Sequence, residues 1–201
     1  MFGAQTARAA AGVFAVAGLL GLAACGATPQ TTAERAASPS ASSSPSADAP
    51  SKATEDRRPV AKAGGVCKLL SYQIAERATG VEFDIAAAGK HQKSSTCVLQ
   101  VYGHAYPDLT LTVSPSKADT KHFYDNAAPD GAKRVDKLGE AAYQALIGAK
   151  GKAGPAAEVG WLADGSIVTL RHTHEAGVSD DQARAMASKL VTLARQVQSK
   201  R

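Results

Sequence analysis

The clearest alternation of apolar and polar positions runs from Ala157 to Thr173. Asp164-Gly165 interrupts it with a strong two-residue hairpin signal, so two strands meet there. Placing the turn on that pair sets the register. Ala163 then faces Ser166, Leu162 faces Ile167, Trp161 faces Val168 and Val159 faces Leu170. Because side chains alternate along a strand, Val159, Trp161, Val168 and Leu170 share one face, which we assign to the core. Glu158 meets Arg171 on the other face as a cross-strand ion pair, which supports the register independently of hydrophobicity.

Two shorter segments follow the same period. Residues 96–102 set Cys97, Leu99 and Val101 against Val98, Gln100 and Tyr102. Residues 109–113 set Leu109, Leu111 and Val113 against Thr110 and Thr112. Tyr106-Pro107-Asp108 between them reads as a turn, so the pair forms a hairpin. Residues 142–148 read as a further strand, followed by the glycine-containing loop Ala149–Pro155, expected to be mobile. Helical spacing governs the rest. Ser179 and Gln182 form a capping box for the last helix, and Asp180 and Asp181 suit its positive end. Ala183, Met186, Ala187, Leu190, Val191, Ala194 and Val197 give that helix one apolar stripe. A short helix spans Tyr72–Thr79, capped by Ser71 and stopped by Gly80. Another begins at Ser116, carries Phe123 and Tyr124, and stops before Pro129. This order predicts an α+β domain: an antiparallel sheet of about five to six strands, with helices packed on one face and one disulfide.

The N-terminus breaks the pattern. An uncharged apolar stretch, Ala9 to Ala24, follows Arg8. It falls short of the about 20 residues that a membrane span needs and suits a signal peptide. Leu22-Ala23-Ala24-Cys25-Gly26 resembles the bacterial lipobox, in which small residues enter a peptidase groove and the Cys25 thiol takes diacylglycerol. Residues 26–63 hold ten Ala, seven Ser, five Pro and no aromatic, with Val60 the only large aliphatic. Such a segment cannot bury enough apolar surface to offset its ordering entropy. The chain therefore divides into a lipoprotein signal peptide (1–24), a lipidated Cys25 with a disordered tether (25–63), and a single globular domain (64–201). The expected location is the outer face of the cell membrane, held by the lipid.

With Cys25 assigned to lipid, Cys67 and Cys97 remain of the three cysteines. In an exported domain that pair reads as a disulfide. A metal site or catalytic thiol fits less well, because neither has a second Cys at zinc-like spacing. The formal net charge of the chain is +5. It is spread along the sequence rather than gathered in a basic stripe, which argues against a nucleic-acid partner.

Candidate chemistry is sparse. His172 and His174 point to one side of a strand with Glu175 beside them, a low-grade metal pattern for which the sequence names no third ligand. A partly buried histidine at the sheet's end is the plainer reading. Ser114-Pro115-Ser116-Lys117 matches Ser-x-x-Lys, yet its companion Ser-Asp-Asn and Lys-Thr-Gly motifs are missing and Ser116 already reads as a helix cap. No Gly-x-Ser-x-Gly elbow, phosphate-cradling loop or His-Glu-x-x-His occurs. No catalytic residue and no cofactor is expected. The candidate ligand surface is the loop 149–155 with the sheet end near Trp161, His172 and His174.

Several pieces in order carry a resemblance: the lipobox, the tether, Cys67-Lys68-Leu69-Leu70-Ser71, Ala78-Thr79-Gly80, Cys97 opening a strand, and Leu138-Gly139-Glu140-Ala141-Ala142-Tyr143. In these the chain resembles an actinobacterial family of secreted lipoproteins with a domain of unknown function. The resemblance implies a Cys67–Cys97 bridge and an α+β domain, and carries over no catalytic residues. Parts of it are similar to extracellular sensor domains of actinobacterial kinases, which by analogy favours binding over catalysis. The expected function is a membrane-anchored binding module that engages a small ligand, an envelope polymer or a protein. An envelope hydrolase or metal-dependent enzyme, and a purely structural envelope protein, are the alternatives. The Ser/Thr/Pro tether also suits O-linked sugar; an intact mass of the exported chain without hexose increments would remove that reading.

Overall fold

The computed structural model describes residues 57–201; the expected signal, Cys25 and the tether up to residue 56 lie outside them. Two short 3-10 turns, Val60–Ala63 and Gly65–Leu69, lead into helix α1, Tyr72–Thr79. The strands are β1 (Ile85–His91), β2 (Ser94–Gln100), β3 (Asp108–Pro115), β4 (Lys133–Arg134), β5 (Ala141–Ile147), β6 (Ala153–Ala163) and β7 (Ser166–Glu175). Helix α2, Thr120–Asn126, lies between β3 and β4, and helix α3, Asp180–Gln198, closes the chain. All strand pairings are antiparallel, and the spatial order is β1-β2-β3-β7-β6-β5-β4. The class is α+β, with seven strands rather than the five to six expected.

The β6–β7 hairpin has the register that the Asp164-Gly165 turn demands: Trp161 opposes Val168, Val159 opposes Leu170 and Glu158 opposes Arg171. Both turn residues have positive φ, 50° at Asp164 and 64° at Gly165, as this tight turn requires. Val159, Trp161, Val168 and Leu170 are fully buried. Helices α1 and α3 cover that face. Ser179 accepts from the Gln182 amide while the Gln182 side chain accepts from the Ser179 amide, so the capping box is complete. The whole expected stripe of α3, from Ala183 to Val197, is buried. At its C-terminal end, Gln198 accepts a 2.7 Å bond from the Trp161 indole and donates a 3.1 Å bond to Asp164, which ties α3 to the hairpin tip.

Three expectations are corrected. Helix α2 begins at Thr120 with Asp119 as its cap, while Ser116 instead accepts from the Ala118 amide in a preceding turn. That helix also lies on the opposite face from α1 and α3. There Phe123 packs with Ala141, Tyr143, Ala145 and Leu162 in a second, smaller core. The connection from β3, mid-sheet, to β4, at the far edge, must cross one face, and the other is filled by α1 and α3. Finally, residues 57–63 belong to the fold rather than to the tether. Val60 is 2% exposed within the main core, and Arg57 pairs with Glu76 and donates to the Phe83 carbonyl.

Cys67 and Cys97 form a disulfide that links the second 3-10 turn to β2 across 30 residues of chain. Replacing both by Ala is expected to lower the unfolding free energy by about 3.5 kcal/mol, the closure entropy of a loop of that length. Urea unfolding of the exported protein measures it. A loss under about 1 kcal/mol would mean that the surrounding core, not the bridge, holds this end of the sheet.

Candidate functional site

The face of the sheet away from α1 and α3 is covered by α2 only toward β5. On the rest of it, strand pairing lines up polar residues in rows. Thr96, Thr112 and Thr169 are successive cross-strand partners, followed by Gly160. The next row runs Val98, Thr110, Arg171, Glu158 and Ala145. A third runs Gln100, Asp108, Thr173, Ala156 and Ile147. The central residues of these rows floor a trough of about 570 Å³, with Tyr106 and Lys150 also lining it.

Its wall on the β6 side is a fixed polar unit. Glu158 is only 5% exposed. One of its carboxylate oxygens accepts a 2.7 Å bond from the Tyr143 hydroxyl. The other accepts from Arg171 through Nε at 2.7 Å and Nη2 at 2.5 Å. The Tyr143 ring reaches this position by lying against the backbone of Gly160, where an added Cβ would come within 2.4 Å of the ring. Burial, and then the charge of Glu158, push the Tyr143 phenol above its ordinary range and keep it a hydrogen-bond donor. The Arg171 side chain stays about half exposed, at 47%, and lines the trough.

Asp108 lies across the floor from that wall. Its carboxyl is pushed up by burial, against the opposing effect of hydrogen bonds from Thr173 and the charge of Arg171. Oδ1 of Asp108 is buried with no hydrogen-bond partner among the described residues. A buried acceptor left unpaired costs about 1–3 kcal/mol, so folding alone does not favour it.

The residues expected to form a ligand surface lie elsewhere. Trp161 is fully buried and its indole N–H is taken by Gln198, so it is a core residue and not a contact surface. His172 is 1% exposed on the helix-covered face, edge-on to Phe83 at 6.5 Å and to His174 at 4.5 Å. The structure does bring the two histidines together, yet among the described residues no group of three His, Cys, Asp or Glu forms around them. Burial and the neighbouring His174 lower the pKa of His172 to about 4, and burial lowers that of His174.

The expected loop 149–155 is a closed turn. Lys150 and Ala153 exchange backbone hydrogen bonds of 3.3 and 3.1 Å, and Gly154 and Pro155 are buried. It nevertheless reaches the trough through Lys150, Ala153 and Gly154. In the Ser-x-x-Lys stretch, Ser114 bonds Ser94 and Ser116 bonds a backbone amide. Cys67 and Cys97 are joined as expected, and Cys25 lies outside the described residues. Sequence reasoning passed over Asp108, Thr110, Thr112, Thr169 and Thr173. The available signal was the threonines at outward positions of strands whose inward positions were already assigned.

No protein-family model matches the chain, and no curated protein or solved structure matches it either.

The histidine pair makes stability depend on pH with a definite sign. His172 takes up a proton less readily folded than unfolded, so the unfolded chain binds more protons between pH 6.5 and about 4. Stability is therefore full above pH 6.5 and falls as pH drops through this window, by about 3 kcal/mol for this one group. Replacing His172 by Phe should flatten that fall. Thermal melts of both proteins across the window measure it; parallel curves would show that His172 is not the group responsible.

Proposed function

We propose that this chain is an exported, lipid-anchored binding module of the cell envelope, and that its ligand surface is the trough on the helix-poor sheet face. One observation carries the binding reading. The open face holds Asp108, Arg171 and four threonines around a concavity, while the main core lies on the other face. A concave site with a few convergent polar groups on a rigid sheet is the ordinary form of a binding site. The anchor rests on the lipobox reading of Cys25 and the uncharged stretch before it. Among the described residues no helix is long and apolar enough to cross a membrane. Binding is favoured over catalysis because the one carboxylate–guanidinium pair in the trough is a satisfied structural pair.

The test uses the full chain, produced in a bacterial host that processes lipoproteins. Wild-type protein should partition into detergent, and Cys25→Ala should move it to the aqueous phase. Native mass spectrometry of the extracted protein should show a non-covalent mass that Thr112→Trp, which fills the trough, removes. Thr112 is on the sheet surface, so that variant should melt within a few degrees of wild type. A bare wild-type mass, together with no partner captured by a photo-crosslinker at position 112 on intact membranes, would sink the binding reading.

A further inference from the structure

The chemistry of the trough narrows what it takes, given the binding reading above. Formal charges in its lining cancel: Asp108 and Glu158 stand against Lys150 and Arg171. Glu158 is consumed within the wall by Arg171 and Tyr143. An anion such as a phosphate would need uncompensated positive charge, and a cation would need clustered carboxylates; neither is present. What remains is a set of neutral hydroxyls on Thr110, Thr112, Thr169 and Thr173, the carboxyl of Asp108, and the half-exposed side chain of Arg171. The complementary ligand is neutral and carries both donors and acceptors at close spacing.

Each threonine also presents a methyl group, so the floor alternates apolar and hydroxyl patches. A pyranose ring has the same two aspects, C–H faces and hydroxyl rims. Neighbouring strands stand about 4.8 Å apart, close to the length of one sugar unit in an extended chain, so a glycan laid across β3 and β7 meets one threonine on each. Within the trough Thr112 pairs with Thr169 in that direction, as Thr110 does with Arg171 and Asp108 with Thr173. The Thr112 hydroxyl lies 3.5 Å from that of Thr96, at the edge of hydrogen bonding, which leaves it available to a ligand.

We propose that the trough binds a neutral saccharide chain lying across β3, β7 and β6. Asp108 accepts from a sugar hydroxyl, Arg171 donates to another, and the threonine row supports the rings.

Isothermal titration of the full protein tests this. The probes are linear hexasaccharides of glucose, galactose, mannose and N-acetylglucosamine, beside a galacturonate oligomer of equal length. At least one neutral probe should bind, more tightly as the chain lengthens from one unit to three. The acidic oligomer should bind at least about tenfold more weakly, since its carboxylates meet Asp108. Asp108→Ala should weaken the neutral probe by about tenfold or more, because it removes the carboxyl acceptor from the lining. Thr112→Trp should abolish binding, and it serves as the second variant should Asp108→Ala fail to fold.

No binding by any neutral probe up to about 10 mM overturns the proposal, as does binding that neither variant weakens. The two failures separate. If no saccharide binds while native mass spectrometry still shows a different mass removed by Thr112→Trp, the saccharide is wrong and the binding module stands. If Thr112→Trp changes nothing that the protein carries, both fall.

Discussion

The register of the β6–β7 hairpin is the constraint on which the rest depends. A slip of one residue would send Val159, Trp161, Val168 and Leu170 to solvent, and would place Glu158 and Arg171 against α1 and α3. Two things forbid it. The Asp164-Gly165 turn adopts positive φ at both residues, which few other pairs tolerate. The Glu158–Arg171 pair then closes only in this pairing. Neighbouring strands inherit the register: β3 pairs along β7 and β5 along β6, so each alternation of the central hairpin is copied across the sheet.

That inheritance divides the labour between the two faces. The inward positions of β2, β3, β6 and β7 meet the stripes of α1 and α3 in one core, and the hydrophobic gain of the fold is concentrated there. The outward positions are free of that duty on the central strands. They are not free near β5, where Phe123 and Tyr124 of α2 need cover. The Tyr124 hydroxyl also bonds both the carbonyl and the amide of Ala142, beside the short pairing of β4 with β5. The residual opening between the α2 side and β2 is the trough. It is a consequence of topology as much as of composition, because the β3-to-β4 crossover covers only part of the face.

Legibility in the sequence follows the same logic. The β6–β7 hairpin, α1 and α3 could be read because several local signals agreed on each: turn chemistry with alternation, or a cap with an apolar stripe. Strand β1 left no such signal. Ile85-Ala-Ala-Ala-Gly-Lys-His is poor in strand formers, and the strand is almost wholly exposed at the sheet's edge, held by its backbone ladder to β2. The two residues of β4 are equally silent. Val60 was legible only as an exception within a polar tether, and the exception marked the start of the fold. The Leu138-to-Tyr143 motif was read as a family mark, and its jobs are structural. Leu138 and Ala142 enter the core, and Tyr143 lies on Gly160. Trp161 misled because the same inward assignment that predicted its burial was set aside when a ligand surface was sought.

Why the site was missed is a matter of what a sequence can rank. Threonine on a strand is ordinary, and so is aspartate after a proline turn. Only the structure shows which of these side chains finished folding with nothing to bind. Among the described residues, buried atoms without a partner occur at Arg57, Asp108, Gln144, His172 and His174, and of these only Asp108 lines the trough. The histidines answer their burial by staying neutral, since their proton affinity falls. Glu158, one row away on the same face, answers it with Tyr143 and Arg171. Asp108 has a partial answer in Thr173 and keeps one oxygen unpaired. Two carboxylates on one sheet face thus differ in one respect: the first is satisfied by the fold, and the second keeps one buried oxygen unpaired. A native fold keeps few such groups, and a ligand in the trough recovers this hydrogen bond only if the Asp108 side chain turns to meet it.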